Sequence, residues 1–248
     1  MACFVPFSKR NLDISFFVFR PMVVLVDELM VALKRFSLCT ETMGCVHSAI
    51  FKSIHGNMII WYGSWIKRSN ENKETLNATL LSMLSSISSM AILVDHSFFE
   101  AYAGESRDGS PAAKFSTGDT ISMSAMLFPK EHNEDVSYAS LAIFKSRFAK
   151  MDGAISGVCL ESQSQPRTIT LFVWKSLQSC YSWILTSDYR KTVLPYIDNL
   201  PLEIKYDIFK VVYVSRDNSE VSFQLNHSHQ MLETEVESEE GNNKMIQD

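Results

Sequence analysis

Glycine is scarce in this sequence, at nine residues of 248. None of them stands in a Gly-x-Gly-x-x-Gly run or before Lys-Ser/Thr, the arrangements whose backbone amides cradle phosphates. The sequence also has no Cys-x-x-Cys and no His-Glu-x-x-His, the short motifs of zinc sites and metalloproteases. These absences exclude the usual nucleotide and metal signatures, so we expect no cofactor and no metal site.

Cysteine is too sparse and too irregular for a secreted disulfide framework. The five cysteines are odd in number and widely spaced along the chain. The chain starts with a short apolar segment, residues 1–6, which meets Lys9 and Arg10 before it reaches a useful length, whereas a signal peptide places its charges first and a longer apolar core after them. Reduced thiols without an export signal predict a cytoplasmic protein, with a nuclear location left open.

Long apolar runs and basic clusters are missing as well. The most apolar run, residues 21–33, contains Asp27 and Glu28 and is too short to cross about 30 Å of hydrocarbon. The net charge is -5, from 23 basic and 28 acidic residues, with no Lys/Arg stripe to displace counterions from a nucleic acid. We therefore expect no membrane span and no nucleic-acid partner, which leaves a protein partner or a small apolar ligand.

Hydrophobic periodicity predicts the order strand, helix, strand, strand, helix, strand, and predicts it twice. In the first half the predicted strands are 14–19, 45–54, 58–66 and 91–102, with helices at 23–36 and 74–87. In the second half the strands are 121–128, 154–161, 169–174 and 206–214, with helices at 136–151 and 177–197. The return strands 58–66 and 169–174 are apolar on both faces, which predicts burial on both sides.

A single offset relates the two halves. It is 109 residues between Gly44 and Gly153, between Trp65 and Trp174, and between Ser106-Arg107-Asp108 and Ser215-Arg216-Asp217. Ser15 and Ser124 are separated by the same offset. This pattern favours an ancient duplication over one unrepeated α+β domain.

The predicted fold is α+β, with two tandem ferredoxin-like βαββαβ repeats. The repeats are residues 12–109 and 121–218, joined by a polar linker at 110–120 and followed by an acidic, disordered tail at 219–248. Each repeat leaves one sheet face bare of helices, and the two bare faces can cover each other in a pseudo-dimer.

Two resemblances extend this prediction. Val173-Trp174-Lys175-Ser176-Leu177, with Tyr181, Ser187-Asp188-Tyr189-Arg190 and Pro195 after it, resembles the third strand and second helix of dimeric α/β barrel proteins. That resemblance implies a pseudo-dimeric α/β barrel, whose relatives include polyketide cyclases, haem-degrading monooxygenases and stress-associated binding proteins. The whole chain is similar to a family of uncharacterised land-plant proteins through residues 11–17 and 98–106, and this family implies no function.

Histidine and tyrosine supply the candidate catalytic residues: His47, His96, Tyr62 and Tyr102. An imidazole and a phenol together can polarise a carbonyl and take up a proton, as a cyclase requires. The alternative is that these histidines are core residues satisfied by one hydrogen bond.

Three tryptophans, Trp61, Trp65 and Trp174, are candidate ligand-binding residues between the sheets, because aromatic walls suit an apolar ligand. The alternative is that they fill the core. Taken together, the sequence predicts a non-catalytic binding or protein-interaction module. The alternative function is a small-molecule enzyme of the α/β-barrel type, cyclase-like or monooxygenase-like, with a His/Tyr acid-base site.

Overall fold

The structure is a computed structural model that describes residues 2–7, 12–127, 133–187 and 203–215. The strands are β1 (Ala2–Pro6), β2 (Leu12–Pro21), β3 (Cys45–Ser53), β4 (Ile59–Ile66), β5 (Ala91–Ser106), β6 (Ala112–Ser116), β7 (Thr120–Leu127), β8 (Ala154–Ser162), β9 (Arg167–Trp174) and β10 (Glu203–Val214). The α-helices are α1 (Val26–Glu41), α2 (Asn70–Leu84), α3 (Asn133–Phe148) and α4 (Leu177–Thr186). The predicted acidic tail and residues 188–197 of the last predicted helix lie outside the described residues.

Eight of these strands form a closed antiparallel barrel in the order β10-β3-β4-β2-β5-β8-β9-β7. The first half of the chain contributes β3-β4-β2-β5 and the second half contributes β8-β9-β7-β10. The two sets join edge to edge, through β5 with β8 and through β10 with β3. Closure pairs the backbone groups that two separate sheets would leave unpaired at their edges. The molecule is therefore a mixed α/β fold built around an eight-stranded barrel.

Alternation along each strand separates the barrel interior from the helix-covered outside. The interior cluster takes apolar side chains from all eight strands, Tyr62 and Leu171 among them. The odd-numbered neighbours on β4, Trp61 and Trp65, face outward into a cluster with α1 and α2. Trp174 faces outward into a second cluster with α3 and α4. The prediction that β4 and β9 are buried on both faces is confirmed.

A two-stranded ribbon inside the barrel was not predicted. β1 pairs antiparallel with β6, and β6 contacts β5, β8, β9 and β10. Cys3, Val5, Ala113 and Phe115 of the ribbon are fully buried members of the interior cluster. Residues 110–120, predicted as a polar linker, thus include a strand that fills part of the barrel.

Local signals explain where two helices begin. The Ser69 hydroxyl accepts a hydrogen bond from the Asn72 backbone N–H and caps α2, which starts four residues before the predicted position 74. The Ser176 hydroxyl accepts from the Ser179 N–H at 3.1 Å and caps α4. None of the described helices has the length and apolar character needed to cross a membrane.

Corresponding backbone and side-chain contacts occur within each half of the chain. The Gly44 carbonyl accepts from the Ile66 N–H, and the Gly153 carbonyl accepts from the Lys175 N–H. The Trp65 indole N–H donates to Ser15 Oγ at 2.9 Å. The Trp174 indole N–H donates at 2.9 Å to Ser122 Oγ.

In these contacts Ser122, and not Ser124, takes the place that Ser15 has in the first half. Ser15 lies opposite Gly63 on β4, and Ser122 lies opposite Phe172 on β9. Each serine is therefore the strand partner of the residue two positions before the tryptophan that it contacts. The strand register, and not the offset of 109 residues, determines which serine the indole reaches. Arg216 and Asp217 of the matching tripeptides lie outside the described residues.

Candidate functional site

His47 and Tyr62 share the interior face of the barrel. His47 lies on β3, two residues before Ala49 of the interior cluster, and Tyr62 is itself a member of that cluster. His47 is paired with Ser64 and Ala49 is paired with Tyr62, so His47 and Tyr62 are diagonal neighbours on adjacent strands. Diagonal positions of this kind lie about 7–8 Å apart. The sheet register thus brings two of the four candidate catalytic residues together.

The Tyr62 phenol is surrounded by aromatic rings and has no solvent exposure. The rings of Phe16, Phe51 and Phe115 have centroids 5.6, 5.9 and 5.7 Å from the Tyr62 ring. Burial raises the pKa of Tyr62 well above its usual value, because the phenolate would lose its hydration. The side chain therefore stays a neutral hydrogen-bond donor at physiological pH.

Phe4 of the ribbon contacts both members of this pair. Its ring centroid is 6.0 Å from that of His47, and its backbone carbonyl accepts a hydrogen bond from the Tyr62 hydroxyl at 3.4 Å. Lys114 of β6 lies over the Phe4 ring, with its Nζ 5.6 Å from the ring centroid. Sequence reasoning missed Phe4, since a five-residue N-terminal strand gives too short a periodic signal.

His96 and Tyr102 both lie on β5, on the outside of the barrel, but they pack under different pairs of helices. The His96 ring stacks on Phe17, at 5.9 Å and an interplanar angle of 16°, and Phe17 belongs to the cluster beneath α1 and α2. Tyr102 packs against the cluster beneath α3 and α4, where burial raises its pKa. The four candidates do not form one site, and a catalytic role for His96 or Tyr102 stays a prediction.

The three tryptophans are buried under the helices. Trp61 and Trp65 flank Gly63, where an added Cβ would lie 2.5 Å from the Trp61 ring. The Trp61 indole N–H donates to Ser37 Oγ at 2.8 Å, so each of the three indoles has a buried serine as acceptor. A ligand-binding role for these residues stays a prediction, and the outer position separates them from His47 and Tyr62.

A second candidate site is a cleft on the outside of the barrel, which we call the outer cleft. It has a volume of about 400 Å³. Its floor is β5 at His96 and Phe98, one wall is α2 at Lys73 and Asn77, and the other wall is the turn after β8 at Gln163 and Gln165. Lys73, Asn77 and the two glutamines were not predicted as site residues, because their contacts link distant parts of the sequence.

A network of charges holds one end of the outer cleft. Lys73 Nζ lies 3.0 Å from Asp13 Oδ1, whose side chain is 2% exposed, and donates to Gln163 Oε1 at 3.0 Å. The Gln163 amide donates to Asp13 Oδ1 at 2.7 Å and to Glu100 Oε1 at 2.9 Å. Every polar group of Gln163 is therefore engaged, and the charge of Lys73 is compensated.

The described residues contain no cluster of three or more His, Cys, Asp or Glu side chains able to hold a metal. All five cysteines are free thiols, and Cys39 is the exposed one.

Comparison with solved structures finds proteins that share this fold. An anthrone oxidase-like protein superposes with a TM-score of 0.70 at 14% identity, over 87% of this chain and 97% of that one. A protein designated a monooxygenase from Fusobacterium nucleatum superposes with a TM-score of 0.57 at 11% identity, over 83% and 94% of the two chains. A protein designated a chlorite dismutase superposes at 0.51 with 10% identity, over 82% and 95%. This chain has their fold.

Sequence comparison adds little to the structural likeness. Residues 97–209, less than half of the chain, match a domain of unknown function (DUF7392). No curated protein matches the sequence. The resemblance to land-plant proteins stays a prediction.

The prediction of a non-catalytic binding or interaction module is wrong. The structures that share the fold are described as an oxidase-like protein, a monooxygenase and a chlorite dismutase, all of them enzyme descriptions.

Proposed function

We propose that this protein is a small-molecule oxidase of the α/β-barrel type, with His47 and Tyr62 as its acid-base pair. The observation that carries the proposal is the placement of an imidazole and a neutral phenol side by side on the interior face of the barrel. The most similar geometry described above is that of an anthrone oxidase-like protein, which suggests an aromatic ketone as the substrate class.

The two side chains suit the first step of such an oxidation. His47 removes a proton from the acidic CH2 group of an anthrone, and the Tyr62 hydroxyl donates a hydrogen bond to the ketone oxygen as it becomes the enolate oxygen. Molecular oxygen then oxidises the carbanion, and the balance is anthrone plus O2 giving anthraquinone plus water. Aromatic walls from Phe16 and Phe51 fit a planar apolar substrate.

Substrate access requires Phe4 to move. The Phe4 ring covers His47, and the Phe4 carbonyl occupies the hydrogen bond that a substrate oxygen would take from Tyr62. In this proposal β1, which within the described residues pairs with β6 alone, shifts to admit the substrate. Replacing Phe4 by Ala is then expected to lower KM for anthrone.

Anthrone itself is the test substrate. Oxygen uptake and anthraquinone absorbance are expected to rise in a one-to-one ratio with the wild-type protein. His47→Ala is expected to slow turnover by about 100-fold or more and Tyr62→Phe by about 10-fold or more, the range for loss of a positioned acid or base. His55→Ala and Tyr138→Phe are matched controls, since both side chains are exposed and lie on other elements. Turnover no faster than in buffer, or full activity in His47→Ala, contradicts the proposal.

We also infer that the two halves are tandem ferredoxin-like repeats that meet as a pseudo-dimeric barrel. Support comes from the repeated element order and from the equivalent contacts Trp65 with Ser15 and Trp174 with Ser122. We further propose a cytoplasmic location, which the five free thiols support.

A further inference from the structure

We propose that the outer face of α1 is a self-association surface, on which a second copy of this chain docks its own α1 in the antiparallel direction. The face carries three apolar residues that we call the seam: Val24, Val31 and Leu38. Val31 and Leu38 lie on α1, and Val24 lies in the short 3₁₀ helix Val23–Leu25 that leads into it. The surface is outside the barrel, apart from the proposed acid-base pair, so the proposal does not rest on the oxidase activity.

The seam is exposed, although its side chains are of the kind that folding normally buries. Val24, Val31 and Leu38 have 82%, 50% and 56% of their surface exposed. The opposite face of α1 already packs against the barrel through Leu29 and Leu33, which have no exposed surface. Successive members of the seam are seven residues apart, close to two helical turns, so they follow one line along the helix. A line of exposed apolar side chains fits a second helix.

Four charged residues flank the seam. Helical periodicity places Asp27 and Lys34 on one side of it and Glu28 and Arg35 on the other, and the members of each pair are seven residues apart. All four are exposed, and none forms an ion pair within the described residues. Lys34 Nζ lies over the Tyr213 ring, 5.8 Å from its centroid. The charges are therefore available to a partner.

The seam matches itself about a two-fold axis through Val31. In an antiparallel pair of helices Val31 meets the Val31 of the second copy. Val24 and Leu38 are equally far from Val31 along the chain, so Val24 of one copy comes opposite Leu38 of the other. The same surface patch thus serves both copies, as a two-fold dimer requires.

The flanking charges match under the same symmetry. On one side of the seam Asp27 comes opposite Lys34 of the second copy, and on the other side Glu28 comes opposite Arg35. Each ion pair forms twice, because the two copies are equivalent. A parallel pair of helices would instead place like charges opposite each other, so the charges select the antiparallel direction.

The charge pattern favours a second copy over a partner of one charge sign. An acidic segment, such as residues 233–248 of this chain, would be repelled by Asp27 and Glu28. A basic segment would be repelled by Lys34 and Arg35. A second α1 in the antiparallel direction satisfies all four charges.

The association should be weak and reversible. One pair of helices buries less surface than the roughly 1,200 Å² at which stable interfaces begin. We therefore expect a Kd of about 10–100 µM. Sedimentation equilibrium of the full chain from about 1 to 500 µM measures this Kd.

Charge reversal tests the direction of the helices. Glu28→Arg and Arg35→Glu each place like charges across the two-fold axis, and each is expected to raise the Kd by about tenfold or more. An equimolar mixture of the two variants is expected to regain the wild-type Kd, because each variant then supplies the charges that the other lacks. Regained association also requires that both variants are folded.

Val31→Glu places two carboxylates at the centre of the contact and is expected to raise the Kd by about tenfold or more. Gln178→Glu is the matched control, because Gln178 is exposed and lies on α4, which covers the other half of the barrel. It should leave the Kd unchanged. A wild-type chain that stays monomeric at about 500 µM, which would leave this face to another occupant, overturns the proposal. So does a dimer that Val31→Glu does not weaken, or a mixture of the two charge variants that fails to associate.

Discussion

Three cysteine thiols are buried beneath the helices, and burial controls their ionisation. Cys45 lies in the cluster with α1 and α2, whereas Cys159 and Cys180 lie in the cluster with α3 and α4. Loss of hydration raises the pKa of Cys45 to about 12, of Cys159 to about 12 and of Cys180 to about 11. All three thiols are neutral in the folded protein at physiological pH.

These shifts predict a loss of stability at alkaline pH. A raised folded-state pKa means that, above about pH 8.5, the unfolded chain releases thiol protons that the folded chain retains. The free energy of unfolding should therefore fall as the pH rises from about 8.5 to about 11, by at most about 1.4 kcal/mol per pH unit for each thiol. Urea denaturation under reducing conditions at several pH values measures this slope.

Cys159→Ala should make the alkaline slope shallower by the share of one thiol. Cys39→Ala is the control, because Cys39 is exposed in the folded chain and should leave the slope unchanged. Equal slopes for Cys159→Ala and the wild type would show that burial of this thiol is not coupled to stability.

At the scale of elements, the ribbon of β1 and β6 is the least expected part of the molecule. Its strands have five residues each and join distant parts of the chain, with Cys3 opposite Phe115. Phe115 has no exposed surface, and its ring centroid lies 5.4 Å from that of Phe51 on β3. The ribbon is thus part of the barrel core.

Phe115→Ala is expected to lower the free energy of unfolding by about 3–5 kcal/mol, since it removes a buried ring and leaves a cavity. Lys114→Ala on the same strand is the control, because Lys114 is exposed, and it should cost less than about 1 kcal/mol. Chemical denaturation of both variants measures the difference. A loss below about 1 kcal/mol for Phe115→Ala would contradict the docking of the ribbon in the barrel.

At the scale of the whole molecule, equivalent tryptophan–serine pairs stabilise the two halves. Ser15→Ala and Ser122→Ala each leave a buried indole N–H without an acceptor, so each is expected to cost about 1–3 kcal/mol. Ser124→Ala is the control, because Ser124 is the residue that the sequence offset would have chosen, and it should cost less than about 0.5 kcal/mol. The free energy of unfolding of each of the three variants, compared with that of the wild type, tests this prediction. A large loss for Ser124→Ala, or a loss in only one half, contradicts the inferred repeat.

Local patterns predicted the order of the strands and helices, but not which of the candidate catalytic residues lie together. Leu76, Leu80 and Leu84 are buried at helical spacing in α2, as periodicity indicates. His47 and His96 have the same type and similar strand settings, but one faces inward and the other outward. Their faces depend on the β-bulges in β3 and β5, which no spacing rule reveals.

By itself the sequence determined the order of the elements and the burial of both faces of β4 and β9, because hydrophobic periodicity reports which side chains avoid water. Only the tertiary structure decided how the two halves close into a barrel, which serine each tryptophan reaches and where the ribbon lies. Those features depend on strand register and on contacts between residues as distant as Asp13 and Gln163. Contacts of this kind form only when distant parts of the chain come together in the folded state, so a local sequence pattern does not predict them.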